Sequence, residues 1–337
     1  MLGKAPRTIQ RMRLDTAQAR VLAVSVCFRT ADCSVRCLQS LAGEGADVPG
    51  LRAVVVDNAS GDGSAIRIRE AIRQNGWDSW AEVLESPTNG GFGAGNNLAL
   101  RRALAGASPP DHFLLVNPDA YLEPGALRAL LAHLERTPRA GFAGPRTEIG
   151  RGNLRGTAFR FPGILNSLDE GLHVGLVTRV LSRWQLAPPP RAAAHRTDWL
   201  SGGCLLVRRQ VFEQVGLFDE GFFLYFEEVD LALRAARAGW ESWYVPAARV
   251  VHEAGASTGA TGGRELERRM PRYWFESRRR YFLKHRGRLG CACADVAWAA
   301  GSALWNLRRW ISGAPRREPL RFWRDFVRFN LFGRSLP

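Results

Sequence analysis

The chain of 337 residues is long enough for one large domain with an appendage or for two domains, and its hydrophobic share of 46% is ordinary for a globular protein. Its 47 Lys and Arg against 32 Asp and Glu leave a net charge of +15, carried almost entirely by arginine, which favours nucleic acid, an anionic membrane or a phosphorylated small molecule as partner. The six cysteines form no CxxC pair, and no histidines stand at zinc-finger spacing, which argues against a disulfide scaffold or zinc finger and favours a reduced, cytosolic compartment.

Strands and helices alternate along the first half of the chain. Residues 1–19 have basic residues but no apolar signal segment, so they are predicted to form a leader. Valine-rich and other apolar runs predict strands at 21–28, 51–56, 81–86 and 112–116, and amphipathic stretches predict helices at 33–42, 96–105 and 124–137. This alternation predicts a parallel sheet with crossover helices, in which ligands bind beyond the carboxyl ends of the strands.

Polar side chains stand just past the ends of two predicted strands. Asp57 and Asn58 follow one strand, and Asn117 and Asp119 follow another. Each pair alone is equally typical of a plain turn, because Asp and Asn are common turn formers. Two such pairs at equivalent strand ends, with a glycine-rich loop between them in the chain, predict a binding site.

The glycine-rich stretch at 89–97 reads NGGFGAGNN and is predicted to be a loop. Its glycine spacing and its position in the middle of the domain differ from the dinucleotide fingerprint, which argues against a dinucleotide-dependent oxidoreductase. Such a loop lets a ligand approach the backbone, next to a helix N-terminus that favours phosphate.

Three acids cluster in the second half, where Glu227, Glu228 and Asp230 begin a predicted amphipathic helix. Helix N-termini favour acidic residues, which is a purely structural explanation for all three. The aromatic run FFLYF before them predicts partial desolvation, which raises the pKa of a carboxylate toward that of a working general base. His252 follows another strand-like run, and a single histidine there is more often structural than a ligand.

Six motifs in one order along residues 20–287 resemble those of family 2 glycosyltransferases, most of all the bacterial rhamnosyltransferase branch. They are DNASGDGS, NGGFGAGN, NPD, DWLSG, GLFDEGFFLYFEEVDLALR and YVPAARVVH. The resemblance implies a GT-A fold, an α/β fold with a mostly parallel central sheet flanked by helices. It also implies inverting transfer of a sugar, L-rhamnose from dTDP-rhamnose, to a hydroxyl of a cell-surface glycan or lipid-linked acceptor.

The same resemblance implies a role for each motif residue. The donor-binding residues are expected to be Asp57, Asn58, Ser60, Asn89, Gly91, Asn96 and Asn117. Asp119 and His252 are expected to bind Mg²⁺ or Mn²⁺, and Glu228 is expected to be the general base. The acceptor side is expected to include Asp198, Trp199, Glu227 and Asp230. Asn-Pro-Asp stands where the family has DxD, which leaves one carboxylate for the metal.

Two other functions stay open beside the enzyme. A catalytically weak nucleotide-sugar-binding protein of the same fold retains the donor residues, but this chain also has a carboxylate at the base position, which favours the enzyme. The net charge is the single feature that favours a nucleic-acid-binding protein. Because no motif supports it, no nucleic acid partner is expected. The expected division is a leader at 1–19, a GT-A domain at 20–287 with donor and acceptor halves meeting at 125/126, and a helical extension at 288–337.

The C-terminal extension is basic and rich in tryptophan over two predicted helical stretches that break at 313–319. Residues 289–307 are nearly long enough to span a bilayer, but Asp295 and many small residues argue against a span. Two alternatives stay open for these helices. In the first, the helices lie on an anionic membrane, and the cytoplasmic protein is held at the inner face of the plasma membrane. In the second, they pack on the catalytic domain.

Overall fold

The computed structural model describes residues 19–149, 153–172, 185–189, 191–253, 267–313, 315–316 and 318–333. The predicted leader lies outside these ranges except for its last residue. Within them, most strands belong to one ten-stranded sheet. The strands are β1 (Val21–Cys27), β2 (Leu51–Asp57), β3 (Ala81–Glu85), β4 (His112–Val116), β5 (Ala120–Leu122), β6 (Ala140–Ile149), β7 (Asn153–Arg155), β8 (Ala158–Phe159), β9 (His195–Thr197), β10 (Trp199–Leu200), β11 (Cys204–Arg208) and β12 (Glu241–His252).

The central sheet is mostly parallel, as predicted. Its order is β3-β2-β1-β4-β11-β6-β12-β5, with β7 beside β6 and β9 beside β12, while β8 and β10 form a separate pair. Six of the eight strands along this order run in one direction, and β11 and β5 run in the other. Parallel neighbours need crossover connections, which the helices supply.

Helices cover both faces of the sheet. They are α1 (Ala31–Glu44), α2 (Ser64–Gln74), α3 (Gly91–Leu104), α4 (Ala126–Arg136), α5 (Ile164–Leu172), α6 (Arg209–Val215), α7 (Glu227–Arg237), α8 (Arg272–Ser312) and α9 (Phe322–Phe326), followed by a π-helical turn at Val327–Leu331. Along β4, Leu114 and Val116 pack into the core with α1, α2 and α4, whereas Phe113 and Leu115 pack into the core with α3, α6 and α7. Because successive residues of a strand face opposite sides, a strand covered on both faces reads as an unbroken apolar run.

One local prediction in the first half is wrong, and one strand was not predicted. The glycine-rich stretch is not a loop throughout, because α3 begins at Gly91 and the glycines form its first turns. A Cβ at Gly95 would stand 2.7 Å from Val26 Cγ1, so close packing of α3 on β1 outweighs the poor helix propensity of glycine. The short strand β5 was not predicted, and it exists because it pairs with the distant β12.

The C-terminal extension packs on the domain through one of its faces. Helix α8 runs through the predicted 287/288 boundary, with a kink at Gly287, where φ is +69°, and ends at Ser312, at the predicted break. Trp298 and Trp305 are buried, and α8 approaches α5 so closely that a Cβ at Gly301 would stand 2.8 Å from Leu168 O. Within the described ranges, no helix combines the length and apolar character needed to cross a membrane.

Candidate active site

The carboxyl ends of three neighbouring parallel strands open at one edge of the sheet. Asp57 ends β2, and Asn117 follows β4, while β1 lies between them. Strand β11 runs against β4 with Cys204 opposite Val116, so Gly203 lies at the same edge, where its carbonyl accepts a hydrogen bond from the Asn117 N–H at 2.9 Å. The two polar strand ends therefore meet at one edge, as the sequence predicted.

Five of the predicted donor-binding residues form two small hydrogen-bond networks at this edge. Asp57 Oδ2 accepts a bond from the Ser60 N–H at 3.3 Å. Asn58 Nδ2 donates to Asn89 Oδ1 at 2.9 Å and to the Gly91 carbonyl at 3.1 Å. Asp57 Oδ1 and Asn58 Oδ1 are buried and have no hydrogen-bond partner among the described residues. Buried acceptors normally have a donor, so these two oxygens distinguish this edge of the sheet.

Two further residues at this edge make contacts that the sequence did not indicate. Asn96 is buried, and its Nδ2 donates to the Phe92 carbonyl at 2.9 Å, so this amide group is engaged within α3. Arg29 was given no role, yet it bridges the loops after β1 and β2. Its backbone N–H donates to Ser60 Oγ at 2.9 Å and its Nε to the Ser60 carbonyl at 3.2 Å, with φ at +57°.

The two predicted metal ligands lie side by side. Asp119 Oδ1 and His252 Nε2 are 3.1 Å apart, and Asn117 Nδ2 lies 3.3 Å from the same ring nitrogen. Antiparallel pairing of β12 with β5 sets this geometry, because it places His252 opposite Ala120. A Cβ at Gly203 would stand 2.9 Å from the imidazole ring, so the ring occupies the space that glycine leaves open.

This pair fits a metal ion that is shared with a ligand. Nowhere in the described ranges do three or more His, Cys, Asp or Glu side chains group closely enough to hold a metal ion by themselves. Mg²⁺ in nucleotide sites takes one or two carboxylates together with substrate phosphates and water. Asp119 and His252 supply such a partial ligand set, which a diphosphate would complete.

The acids at the start of α7 occupy different environments. Glu227 is buried, and burial together with the charge of Glu228 raises its pKa well above the usual range. Glu228 is only partly covered, and burial raises its pKa too, although backbone N–H groups, including that of Gly202, offset part of the rise. A Cβ at Gly202 would stand 3.8 Å from Glu228 Oε1, while Glu228 Oε2 has no hydrogen-bond partner among the described residues. Glu228 is therefore the partly exposed acid with a raised pKa, while its Oε2, like Glu227 Oε2, is buried without a hydrogen-bond partner among the described residues.

Asp230, in contrast, is committed to helix packing. Its carboxylate is 0% exposed and accepts from Arg234 Nε at 2.8 Å, while Lys284 Nζ and His285 Nε2 each lie 2.7 Å away. Burial alone would raise the pKa of Asp230, but the hydrogen bond from Lys284 and the charge of Arg234 lower it below its usual range. The carboxylate thus joins α7 to α8 rather than standing open to a ligand.

The segment before Glu228 is attached to the glycine-rich helix. Gly91 has φ of +86°, and a Cβ there would stand 1.7 Å from the Phe223 oxygen. The Phe92 N–H donates to the same oxygen at 3.0 Å. Tyr225 and Phe226 also have positive φ, of 69° and 68°, so the backbone turns sharply just before α7 begins. The start of α3 and the start of α7 are therefore held together.

The predicted acceptor residues Asp198 and Trp199 flank this region. Asp198 is exposed, and its Oδ2 accepts from the Phe161 N–H at 2.8 Å. Trp199 stacks on Phe159 with ring centroids 4.4 Å apart, and its Nε1 donates to the Arg160 carbonyl at 2.8 Å. Trp199 also packs against the apolar cluster shared by α7 and α8.

Comparison with known sequences decides the family. The profile described as "Glycosyltransferase like family 2" matches residues 16–276. The chain belongs to glycosyltransferase family 2. This glycosyltransferase is 35% identical over 223 residues to an N-acetylglucosaminyl-diphospho-decaprenol L-rhamnosyltransferase of Mycobacterium tuberculosis, covering 61% of this chain and 67% of that one. It is 28% identical over 171 residues to rhamnosyltransferase WbbL of Escherichia coli, covering 49% and 61%.

Solved structures establish the fold of this glycosyltransferase. The mannosyltransferase PcManGT from Pyrobaculum calidifontis, solved with GDP-Man and Mn²⁺, has a TM-score of 0.55 at 15% identity, covering 88% of this chain and 76% of that one. GalNAc-T7, solved with UDP, GalNAc and Mn²⁺, has a TM-score of 0.54 at 13% identity, covering 93% and 57%. The GT-A fold predicted from the sequence motifs is confirmed.

Sequence reasoning missed three positioning features of the glycosyltransferase. The Phe223 carbonyl and the Arg29 guanidinium were given no role, and Lys284 was not connected with the acids of α7. The unusual run of glycines indicated that the backbone near Gly91 is approached closely, but it did not indicate that the Phe223 carbonyl makes this approach. Lys284 and Asp230 are far apart in sequence, and no local pattern links them.

Proposed function

We propose that this glycosyltransferase transfers L-rhamnose from dTDP-rhamnose, with inversion, to a hydroxyl of a lipid-linked or cell-surface glycan acceptor. Two relatives with the word rhamnosyltransferase in their names support the sugar, and one of these names an N-acetylglucosaminyl-diphospho-decaprenol acceptor. The proposal places the reaction in polysaccharide biosynthesis, in the cytoplasm at the inner face of the plasma membrane. The observation that carries the chemistry is the environment of Glu228.

Glu228 is proposed as the general base. Of the three acids at the start of α7 it alone is partly accessible, with Glu227 and Asp230 both buried. Its carboxylate takes the proton of the acceptor hydroxyl as that oxygen attacks the anomeric carbon, while the bond to the nucleoside diphosphate breaks on the opposite face. The raised pKa makes the ionised group a better proton acceptor. One base and no protein nucleophile give a single displacement, and therefore inversion.

The donor is proposed to bind along the edge formed by β2, β4 and α3. The buried acceptors Asp57 Oδ1 and Asn58 Oδ1 suit the N–H groups of a base or the hydroxyls of a ribose. Ser60, Asn89, Gly91 and Asn117 are proposed to shape this side through the contacts described above, and Asn96 to support it from within α3.

Asp119 and His252 are proposed to hold Mg²⁺ or Mn²⁺, whose charge, when bound, offsets the charge that develops on the leaving diphosphate. Their 3.1 Å contact supports a joint role, because both side chains already face one point. Both are held by backbone pairing, so little reorganisation accompanies binding of the ion.

The acceptor is proposed to approach from the side of Asp198 and Trp199. Asp198 is exposed, and its carboxylate can accept a hydrogen bond from an acceptor hydroxyl, while Trp199, stacked on Phe159, shapes the wall beside it. Glu227, which is buried next to Glu228, is proposed to support the position of Glu228 from the protein interior. Asp230 is left out of the acceptor site, because Arg234, Lys284 and His285 already engage its carboxylate.

A donor screen tests the proposal. dTDP-rhamnose, UDP-hexoses and GDP-mannose are each offered with a short-chain prenyl-diphosphate N-acetylglucosamine, and release of nucleoside diphosphate is measured with and without acceptor. We expect acceptor-dependent release from dTDP-rhamnose, and a product whose anomeric configuration, read by NMR, is opposite to that of the donor. Faster turnover of another donor would reject the rhamnose assignment, and calorimetric binding of a donor without any turnover would favour the nucleotide-sugar-binding protein.

A further inference from the structure

The outward face of the second half of α8 is apolar over its whole length. Between residues 289 and 307, every exposed residue of this helix is apolar or a cysteine, and the members are Leu289, Ala292, Cys293, Val296, Ala300, Leu304 and Leu307. Trp310 and Ile311 extend the face, and Leu289 and Trp310 are 79% and 81% exposed. These nine residues are called the α8 stripe. A surface helix of a globular protein normally carries polar residues on this side, whereas the α8 stripe is left exposed by the described residues.

The α8 stripe is long and straight. Steps of three or four residues separate its central members, so they stay close to the 3.6-residue period and lie along one side of the helix. At a rise of 1.5 Å per residue, the span from Leu289 to Ile311 is about 33 Å. The opposite side of the helix, with Trp298 and Trp305, is buried against the domain. The exposed side therefore belongs to a helix that is already fixed in place.

Positive charge brackets the α8 stripe at both ends. Arg286 and Arg288 precede it, Arg308 lies beside its last turn, and Arg321, Arg324 and Arg328 stand in the next segment, all six of them exposed. Between residues 286 and 333 the acids are Asp295, Glu318 and Asp325, all of them buried. Asp295 pairs with Arg278, and Asp325 pairs with Arg269. The exposed charged side chains described between residues 286 and 333 are therefore all basic.

We propose that the α8 stripe docks the glycosyltransferase on an anionic lipid surface, with the helix lying in the plane of the interface. Apolar residues enter the acyl boundary, while arginines along the rim meet lipid phosphates. The inference rests on the proposed function only for the identity of the membrane. The stripe and its charges are observed independently of the donor and the acceptor.

A second copy of the chain fits the α8 stripe less well. Because both ends of the stripe are basic, stripe-to-stripe contact brings arginine against arginine in the parallel and in the antiparallel arrangement. Between residues 286 and 333 the described chain offers no exposed acid to compensate this repulsion. An anionic headgroup layer supplies the missing negative charge along the whole length.

The test measures binding of the full chain to vesicles. We compare vesicles of phosphatidylglycerol mixed with phosphatidylcholine against vesicles of phosphatidylcholine alone, by co-sedimentation. The wild type is expected to bind the anionic vesicles, and more weakly as salt rises. The double variant Leu304→Gln/Leu307→Gln is expected to bind about a hundredfold more weakly, roughly tenfold for each exposed leucine. Both leucines are exposed, so the variant is expected to keep the wild-type melting temperature.

A matched control replaces an exposed apolar residue elsewhere. Ile66 on α2 is 60% exposed, and Ile66→Gln is expected to bind vesicles as the wild type does. Equal binding by the double variant and the wild type would overturn the proposal, as would the absence of wild-type binding to anionic vesicles. A wild-type dimer that the double variant converts to a monomer, without vesicle binding, would assign the stripe to a second copy instead. Donor turnover is measured separately, so failure of the proposed function would leave the vesicle result standing.

Discussion

A buried ion pair joins the two parts of α8 on either side of its kink, and we predict that its loss is costly. Arg278 and Asp295 have side chains that are 4% and 2% exposed. The Arg278 guanidinium also lies 4.6 Å from the ring centroid of Phe282 and 4.8 Å from that of Phe326. In Asp295→Asn the arginine stays charged, because guanidinium does not deprotonate in proteins. Leaving it buried without a counter-charge is expected to cost about 3–5 kcal/mol.

Urea unfolding measures this loss, followed by tryptophan fluorescence and by circular dichroism so that separate unfolding of the C-terminal helix is visible. A control removes an exposed pair on the same helix, Arg272 with Glu276, whose side chains are 60% and 47% exposed. Arg272→Gln is expected to cost less than about 1 kcal/mol, because exposed pairs are screened by water. The double variant Arg278→Met/Asp295→Leu is expected to recover most of the stability, since it removes both buried charges.

A cost below about 1 kcal/mol for Asp295→Asn would show that the pair is not held as the structure has it. A double variant as unstable as the single one would contradict the charge argument and point to packing alone. If the reasoning holds, deletion of residues 290–337 also leaves Arg278 unpaired and uncovers Phe275. The truncated chain is then expected to aggregate, so point substitutions are the better probe of membrane binding.

Four further predictions concern the site. Glu228→Gln is expected to lower kcat by about two to four orders of magnitude with donor affinity little changed, measured by steady-state kinetics and calorimetry; the same loss in Glu227→Gln alone would move the base by one residue. Folding raises the pKa of Glu227, so the stability that the neutral carboxyl contributes at low pH is lost as the pH rises toward the pKa of the folded state. Glu227→Gln removes this loss and is therefore expected to raise the free energy of unfolding more at about pH 8 than at about pH 5. Urea titrations at both pH values check this sign. Asp119→Asn is expected to abolish Mn²⁺ binding with nucleoside diphosphate in calorimetry and to cost about 1–3 kcal/mol in unfolding, because it alters the buried contact with His252, and full wild-type turnover in excess chelator would contradict the metal assignment. Gly91→Ala is expected to cost about 1–3 kcal/mol in thermal unfolding, because its Cβ meets the Phe223 carbonyl at positive φ, and an unchanged melt would refute this contact.

Local patterns were enough to predict the fold class. The apolar runs of β1, β2 and β4 have strand length and are covered on both faces, so they read as strands without any knowledge of their neighbours. The acids of α7 were placed at a helix start because an amphipathic stretch follows them, which is also a local pattern. Failures occurred where packing decided the outcome, as in the glycines of α3, which form a helix because they lie against β1 and Phe223.

Long-range pairing explains what the sequence left open at the site. Asp119 and His252 are 133 residues apart, and they meet because β12 pairs with a three-residue strand that has no local signature. Asp230 was grouped with the acceptor residues, but His285, which engages it, lies 55 residues further along the chain. Residue spacing carries no information about strand register or helix docking at such separations.

The alternatives for the C-terminal extension were both compatible with its composition, because tryptophan serves a core and a membrane interface equally well. The structure divides the residues between two sides of one helix. Trp298 and Trp305 face the domain, whereas Trp310 faces outward. Sequence periodicity alone does not say which side of a helix meets its own domain, and here the side that carries Trp298 and Gly301 packs against α5.

The contact between Gly91 and the Phe223 carbonyl limits how members of this family can be recombined. The two residues come from distant parts of the chain, yet there is no room between them for a single methyl group. Consider a chimera that takes the segment around Phe223 from a relative but keeps its own start of α3. The two backbone segments would then come from different proteins, and their close packing would not be matched. Grafting of the segment around Phe223 therefore requires the start of α3 to be transplanted with it.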